Sequence, residues 1–289
     1  MRSLLFVPGD SEKKLEKGFS SGADVVILDL EDSVSFDNKP RARTIAAAAI
    51  AAHQASACAK IYVRINDFST GLSDDDLAAL IPARPDGIML PKCNSGADVQ
   101  DLAARLRVFE AESGWEEGTT AILPIVTETA AGVLSAASYA ETTHPRLAGL
   151  TWGAEDLAAA IGARTNRDER GRYTDVFRLA RSLTVLGASN AGVAAIDTVF
   201  VDFRDMDGLR NECVEAERDG FTGKMAIHPA QVAVINEVFT PSEEAIAHAR
   251  DVVAAFEQAG NPGVLAIGGK MYDRPHLRGA QRLLSRARG

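Results

Sequence analysis

Glu128 and Asp156 are the residues whose type and setting most suggest chemistry. Each closely follows an apolar run, Ile125-Val126-Thr127-Glu128 and Trp152-Gly153-Ala154-Glu155-Asp156. Two carboxylates at neighbouring strand exits, with coordination positions left over, suit Mg²⁺, which takes oxygen ligands and keeps waters or substrate oxygens. The same pair also reads as a helix cap at Asp156 and a satisfied polar residue at Glu128. Arg64 ends the run Ile61-Tyr62-Val63-Arg64. Its planar fork can grip a substrate carboxylate or form an internal ion pair, and the two uses are compatible. Asp29, Glu31 and Asp32 put three carboxylates in four residues. They read as a layer behind the metal ligands, ordering bound water and pairing with Lys39, Arg41 or Arg43. Lys92 reads as structural. A lone His228 before Pro229 reads more readily as a hydrogen-bonded structural residue than as a base. Lys13 and Lys17 are four apart on a helical pattern and share a face, which is either solvated or a surface for a phosphate-rich ligand.

Positioning such residues needs a repeated scaffold, and the chain carries one. Eight short apolar runs, 3–8, 24–30, 60–65, 86–91, 119–126, 147–153, 193–199 and 223–228, alternate with amphipathic stretches. Continuous runs such as Val25-Val26-Ile27-Leu28 suit strands buried on both faces. Helical patterns fall at 11–20, 40–52, 74–80, 97–112 and 205–219. Eight strand–helix units predict a (β/α)₈ TIM barrel, whose reactive groups gather at the carboxyl ends of the strands. An open doubly wound sheet is the alternative, but Val7-Pro8-Gly9-Asp10 is no dinucleotide loop. The barrel is expected over 1–240. A C-terminal helical extension over 241–289 is expected to hold a helix at 241–258, a Gly-rich connector at 260–269 and a tail at 271–287.

Bulk properties narrow the class. With 289 residues, 46% hydrophobic and 25% charged, a full core is available. The net charge of −9 provides no global field for nucleic acid or an anionic membrane. Cys58, Cys93 and Cys213 are three, widely spaced, and support neither a disulfide framework nor a zinc site. The amino terminus lacks a signal-peptide layout and no long apolar stretch occurs, so a cytoplasmic protein is expected.

The order of motifs resembles a known family. RSLLFVPGD at 2–10, DVVILDLEDSV at 24–34, KPRAR at 39–43, VRIN at 63–66, MLPK at 89–92 and IVTETAAGV at 125–133 all match. GAEDL at 153–157, AIDTVFVDFRD at 195–205, GFTGKMAIHPAQ at 220–231 and GKMYDRP at 269–275 follow in order. Together they resemble the citrate lyase β-subunit-like (CitE-like) proteins of the HpcH/HpaI aldolase superfamily, which includes malyl-CoA and citramalyl-CoA lyases. The resemblance implies a barrel assembled as a homotrimer or a multiple of it. It implies Mg²⁺ on Glu128 and Asp156, and substrate contact by Arg64. Phe6, Lys13 and Lys17, with backbone near Met225 and Ala226, would line an acyl-CoA site. Asp273 matches a catalytic acid carried on a tail from a neighbouring subunit, although Met271-Tyr272-Asp273 replaces the more usual Met-Ile-Asp. The implied activity is cleavage of a 3-hydroxy-3-carboxyacyl thioester to a 2-oxo acid and an acetyl thioester. Other readings are a citrate lyase β subunit acting on an acyl-carrier-protein thioester, a 2-oxo-acid aldolase without a thioester, or a non-catalytic acyl-CoA-binding scaffold.

Overall fold

The computed structural model describes residues 1–54, 59–141 and 144–287; Cys58 lies outside them. Continuous apolar runs become parallel strands: β1 (Ser3–Pro8), β2 (Val25–Asp29), β3 (Lys60–Arg64), β4 (Gly87–Leu90), β5 (Ala121–Pro124), β6 (Gly149–Thr151), β7 (Ala194–Asp197) and β8 (Gly223–Ala226). The intervening helices are α1 (Glu12–Phe19), α2 (Lys39–His53), α3 (Ser73–Leu80), α4 (Gly96–Glu112), α5 (Ala130–Leu134), α6 (Ser138–Glu141), α7 (Ala154–Ile161), α8 (Asp175–Ala191), α9 (Met206–Asp219) and α10 (Pro229–Phe239). The sheet runs β5-β4-β3-β2-β1-β8-β7-β6. Its two ends join through isolated bridges, Ile122 with Leu147 and Ile125 with Thr151. Backbone bonds from Val126 N to Thr151 O (2.8 Å) and Ile122 N to Arg146 O (2.7 Å) support that closure. The eight-unit pattern therefore folds as a barrel, not an open sheet.

Every residue of β2 is buried, as a strand with the barrel lumen on one side and helices on the other requires. Leu4, Ile27, Tyr62, Met89, Ile196 and Met225 belong to one core cluster. Burying each such side chain fully stabilises the fold by about 1.5–3 kcal/mol. Side chains alternate along a strand, so the neighbours of these residues, Asp197 beside Ile196 and Lys224 beside Met225, face the helices. Parallel register aligns Pro8 with Asp29 and Asp29 with Arg64. Side-chain caps set helix starts: Thr129 Oγ1 accepts from Gly132 N (3.0 Å) and Asp205 Oδ1 from Gly208 N (2.9 Å).

The chain divides into two compact units, Met1–Asn236 and Glu237–Gly289. In the second, α11 (Glu243–Gln258) and α12 (Arg274–Ala287) pack on an antiparallel hairpin of β9 (Val264–Ile267) and β10 (Lys270–Asp273). The hairpin is a correction: the segment expected as a Gly-rich connector contains a strand, and the tail opens on another. Gly268 and Gly269 have φ of 55° and 77° and form the two-residue turn between them. Among the described residues, no helix is long and apolar enough to cross a membrane.

Candidate active site

Four strand exits converge on one cavity of about 450 Å³. Asp29 ends β2, Arg64 ends β3, Glu128 follows β5, and Asp156 lies in the first turn of α7 after β6. All four line the cavity, with Phe6, Pro8, Asp32, Ser33 and Met225 among the other walls.

Arg64 forms the internal ion pair that its sequence position allows. Its Nε and Nη2 each donate to an Asp29 carboxylate oxygen at 2.7 Å, and Nη1 lies 3.0 Å from Glu31 Oε2. The guanidinium carbon sits 4.9 Å over the Phe6 ring. The fork is thus held from behind while the group still faces the cavity. Burial pushes the Asp29 carboxyl up, but the Arg64 charge and hydrogen bonds, with Ser33 and Glu31 N–H groups, outweigh it and hold Asp29 below the usual range.

Glu128 is in the opposite electrostatic state. It is only 3% exposed. Burial, reinforced by the Asp156 charge, pushes its carboxyl up to about 8, against a hydrogen bond from the Lys92 backbone N–H. That bond is 2.5 Å, to Oε2. On the other side stands Gly153, where an added Cβ would lie 2.8 Å from Glu128 Cγ and 3.1 Å from Oε1. Only glycine leaves room for this carboxylate. The Lys92 Nζ reaches Glu31 and lies 3.7 Å from Asp156 Oδ1. Burial also raises the Glu31 carboxyl, although Arg64 and Lys92 both act against the rise.

A small hard cation fits this donor set. It needs only one or two protein carboxylates and open positions for water or substrate oxygens, and its charge would favour the ionised Glu128 that burial and Asp156 disfavour. Among the described residues no group of three or more His, Cys, Asp or Glu side chains gathers as a metal site; Glu128 and Asp156 are a pair of cavity-lining carboxylates that could hold such an ion.

The remaining expected residues fall in different places. Met225 lines the cavity, and Ala226 is fully buried beside it on β8. Lys13 and Lys17 are exposed on α1, whose buried residues are Leu15 and Gly18, and are not part of the cavity wall. The expected partners of the acidic run need correction. Lys39 Nζ donates to the backbone carbonyls of Leu30 (2.8 Å) and Glu31 (3.0 Å), and Arg43 pairs with Asp76. The cations on Asp29, Glu31 and Asp32 are Arg64 and Lys92. His228 is exposed, stacks on Phe203 and accepts from Ala230 N (3.1 Å). Asp273, in the second unit, accepts a 2.5 Å hydrogen bond from His276 Nδ1, which holds its carboxyl below the usual range. Sequence reasoning missed Thr198, Val199 and Ile227 in the wall. The first two directly follow β7, so the strand-exit rule could have found them.

A family model described as HpcH/HpaI aldolase/citrate lyase matches residues 2–229. The chain belongs to this family. Within it, the chain is 36% identical over 288 residues to a (3S)-malyl-CoA thioesterase of Cereibacter sphaeroides, covering 99% of this chain and 94% of that one. It is 37% identical over 297 residues to the mitochondrial citramalyl-CoA lyase of Rattus norvegicus, covering 99% and 86%. Among solved structures of the family, the Mycobacterium tuberculosis protein CitE in complex with magnesium, acetoacetate and coenzyme A matches with a TM-score of 0.77. The identity is 35%, and the match covers 100% of this chain and 98% of CitE.

Proposed function

We propose that this protein is a Mg²⁺-dependent carbon–carbon lyase that cleaves a 3-hydroxy-3-carboxyacyl-CoA to a 2-oxo acid and an acetyl thioester. The observation that carries the reading is the buried Glu128 carboxylate, crowded by Asp156 and facing one cavity with Arg64. The magnesium, acetoacetate and coenzyme A held by the M. tuberculosis relative support the choice of ion and ligand class.

Glu128 and Asp156 would hold the ion. When bound, Mg²⁺ supplies Lewis acidity toward the oxygens of the hydroxy acid. Gly153 and the Lys92 N–H seat Glu128 so that its free oxygen can face the cavity. Arg64, oriented by Asp29, meets the negative charge that develops on the thioester oxygen as the carbon–carbon bond breaks; a preorganised donor of this kind costs no reorganisation during the reaction. The 3-hydroxyl gives up its proton to solvent as its oxygen becomes the ketone of the 2-oxo acid, the carbon–carbon bonding pair passes to the acetyl fragment as an enolate, and one proton must then reach the enolate's terminal carbon. Asp273 is the residue for that transfer, supplied by the second unit of a neighbouring copy in a homotrimer. The His276 hydrogen bond favours the carboxylate form of Asp273, which removes the methyl proton in the condensation direction; cleavage returns it. Lys13 and Lys17 meet the phosphates of a carrier arm that leaves the cavity.

A second reading has one specific observation behind it, the likeness to a malyl-CoA thioesterase. In that reading water displaces CoA from the thioester carbonyl of the hydroxyacyl-CoA itself, releasing the free hydroxy acid and CoA with the carbon–carbon bond intact. The deciding experiment incubates purified protein and Mg²⁺ with malyl-, citramalyl- and citryl-CoA, and follows 2-oxo acid and free CoA separately. Release of 2-oxo acid without free CoA is expected. Free CoA without 2-oxo acid selects the thioesterase, and no reaction with any of the three rejects both. In the same assay Asp273→Asn should slow turnover by about 10²–10⁴-fold with substrate binding kept; an unchanged rate removes Asp273 from the scheme.

A further inference from the structure

Lys92 is in the left-handed region, with φ of 50°. Side chains other than glycine rarely adopt it. A glycine would satisfy the backbone at this strand exit and still donate its N–H to Glu128. A lysine stands there instead, and its side chain reaches back over the rim, to Glu31 and to within 3.7 Å of Asp156 Oδ1. One residue therefore touches three carboxylates, Glu128 through its backbone and the other two through its ammonium. Asp29 is already matched by the Arg64 fork. The Lys92 ammonium is thus the cation beside Asp156, while the charge that acts on Glu128 is that of Arg64.

We infer that Lys92 is a positioning residue with two separable tasks: its backbone N–H fixes the Glu128 carboxylate, and its ammonium shares Asp156 with the divalent ion and so keeps that ion loosely held. The inference rests on the metal reading of Glu128 and Asp156. A fixed positive charge within a few ångströms of a dication weakens its binding in a site of low effective dielectric, where Coulomb forces are far stronger than in water. A loosely held, less negative site suits an anionic substrate that must bring its own oxygens to the ion.

The test uses Mn²⁺ as the probe, titrated by calorimetry or by loss of its free-ion paramagnetic resonance signal, on the full chain without substrate. Lys92→Met and Lys92→Gly both keep the N–H and lose the ammonium; the glycine also removes the backbone strain and so protects against misfolding. Both should bind Mn²⁺ about tenfold more tightly than the wild type. Lys92→Arg, which keeps the charge, should stay within about twofold. A merely structural lysine predicts the reverse, weaker or unchanged Mn²⁺ binding in the neutral variants, and that result overturns the inference while leaving the metal reading intact. A wild type that takes up no Mn²⁺ removes the metal reading and this inference together.

Discussion

Two regions of the barrel bury charge in opposite ways. Behind β7 and β8, Lys224 is fully buried and its Nζ donates to Asp197 and Glu212, both at 2.7 Å. Arg167 bonds Glu212, Arg181 bonds Asp219, and Trp152 Nε1 bonds Asp197. Arg146 and Glu110 form a second buried pair, with two 2.7 Å hydrogen bonds that help to hold the Glu110 carboxyl down at about 2. At the rim, Asp29, Glu31, Asp32, Glu128 and Asp156 are served by Arg64 and Lys92, and Glu128 is pushed up to about 8. Matched charge holds helices to the barrel wall. Unmatched charge marks the place where, in the proposed function, a cation and an anionic substrate would complete the structure.

The contrast can be broken from either side. Glu128→Gln should cost about 10³-fold or more in Mg²⁺-dependent turnover, several kcal/mol of charge stabilisation. Without metal, burial already pushes the Glu128 carboxyl toward its neutral form, which glutamine mimics, so the metal-free melting temperature should not fall. A clear drop in melting temperature with activity kept would put Glu128 among the structural charges. Arg146→Met should do the opposite. It strands Glu110 without its partner and should destabilise the fold by about 3–5 kcal/mol, read by urea denaturation. A variant as stable as the wild type would show that this pair contributes nothing to the scaffold.

Two smaller effects sharpen the division. Arg64→Lys keeps the charge but loses the two-pronged grip on Asp29, and about 100-fold should be lost in kcat/KM; a wild-type value would make Arg64 a simple counter-ion. Glu110 gives the pH dependence of the matched region. Its folded-state carboxyl titrates near 2, below the ordinary 4.5. The unfolded chain therefore binds more protons between these values, and stability falls as pH drops through that window. About 3 kcal/mol should be lost between pH 4.5 and 2, and Glu110→Gln should flatten that part of the curve. A slope that survives the substitution assigns it to other carboxylates.

Much of the scaffold was legible because barrel strands are buried on both faces and read as unbroken apolar runs. The run at 3–8 coincides with β1, and those at 24–30 and 60–65 overshoot β2 and β3 by a residue or two. The run at 147–153 shrinks to the three residues of β6 because closure there uses single bridges. The expectation of a Gly-rich connector at 260–269 passes over the hairpin, although Gly268-Gly269 between two short apolar segments is a turn signal. At the rim, strand exits gave Asp29, Arg64, Lys92, Glu128 and Asp156. Asp197 also ends a strand, but a strand-end position does not say which face a side chain takes. Asp197 faces the helices because Ile196 faces the lumen. The partners of Lys224 lie 27 and 12 residues away, and the left-handed backbone of Lys92 has no signature in a lysine. Neither can be read from local pattern.

The account turns on a cation between Glu128 and Asp156. Crystals of the full chain grown with Mn²⁺, with diffraction data collected at the manganese absorption edge, test it directly. The account predicts one anomalous peak at the rim, within about 2.0–2.3 Å of an oxygen from each carboxylate. A peak elsewhere, or none at the rim with Lys92 still seated against Asp156, would contradict it.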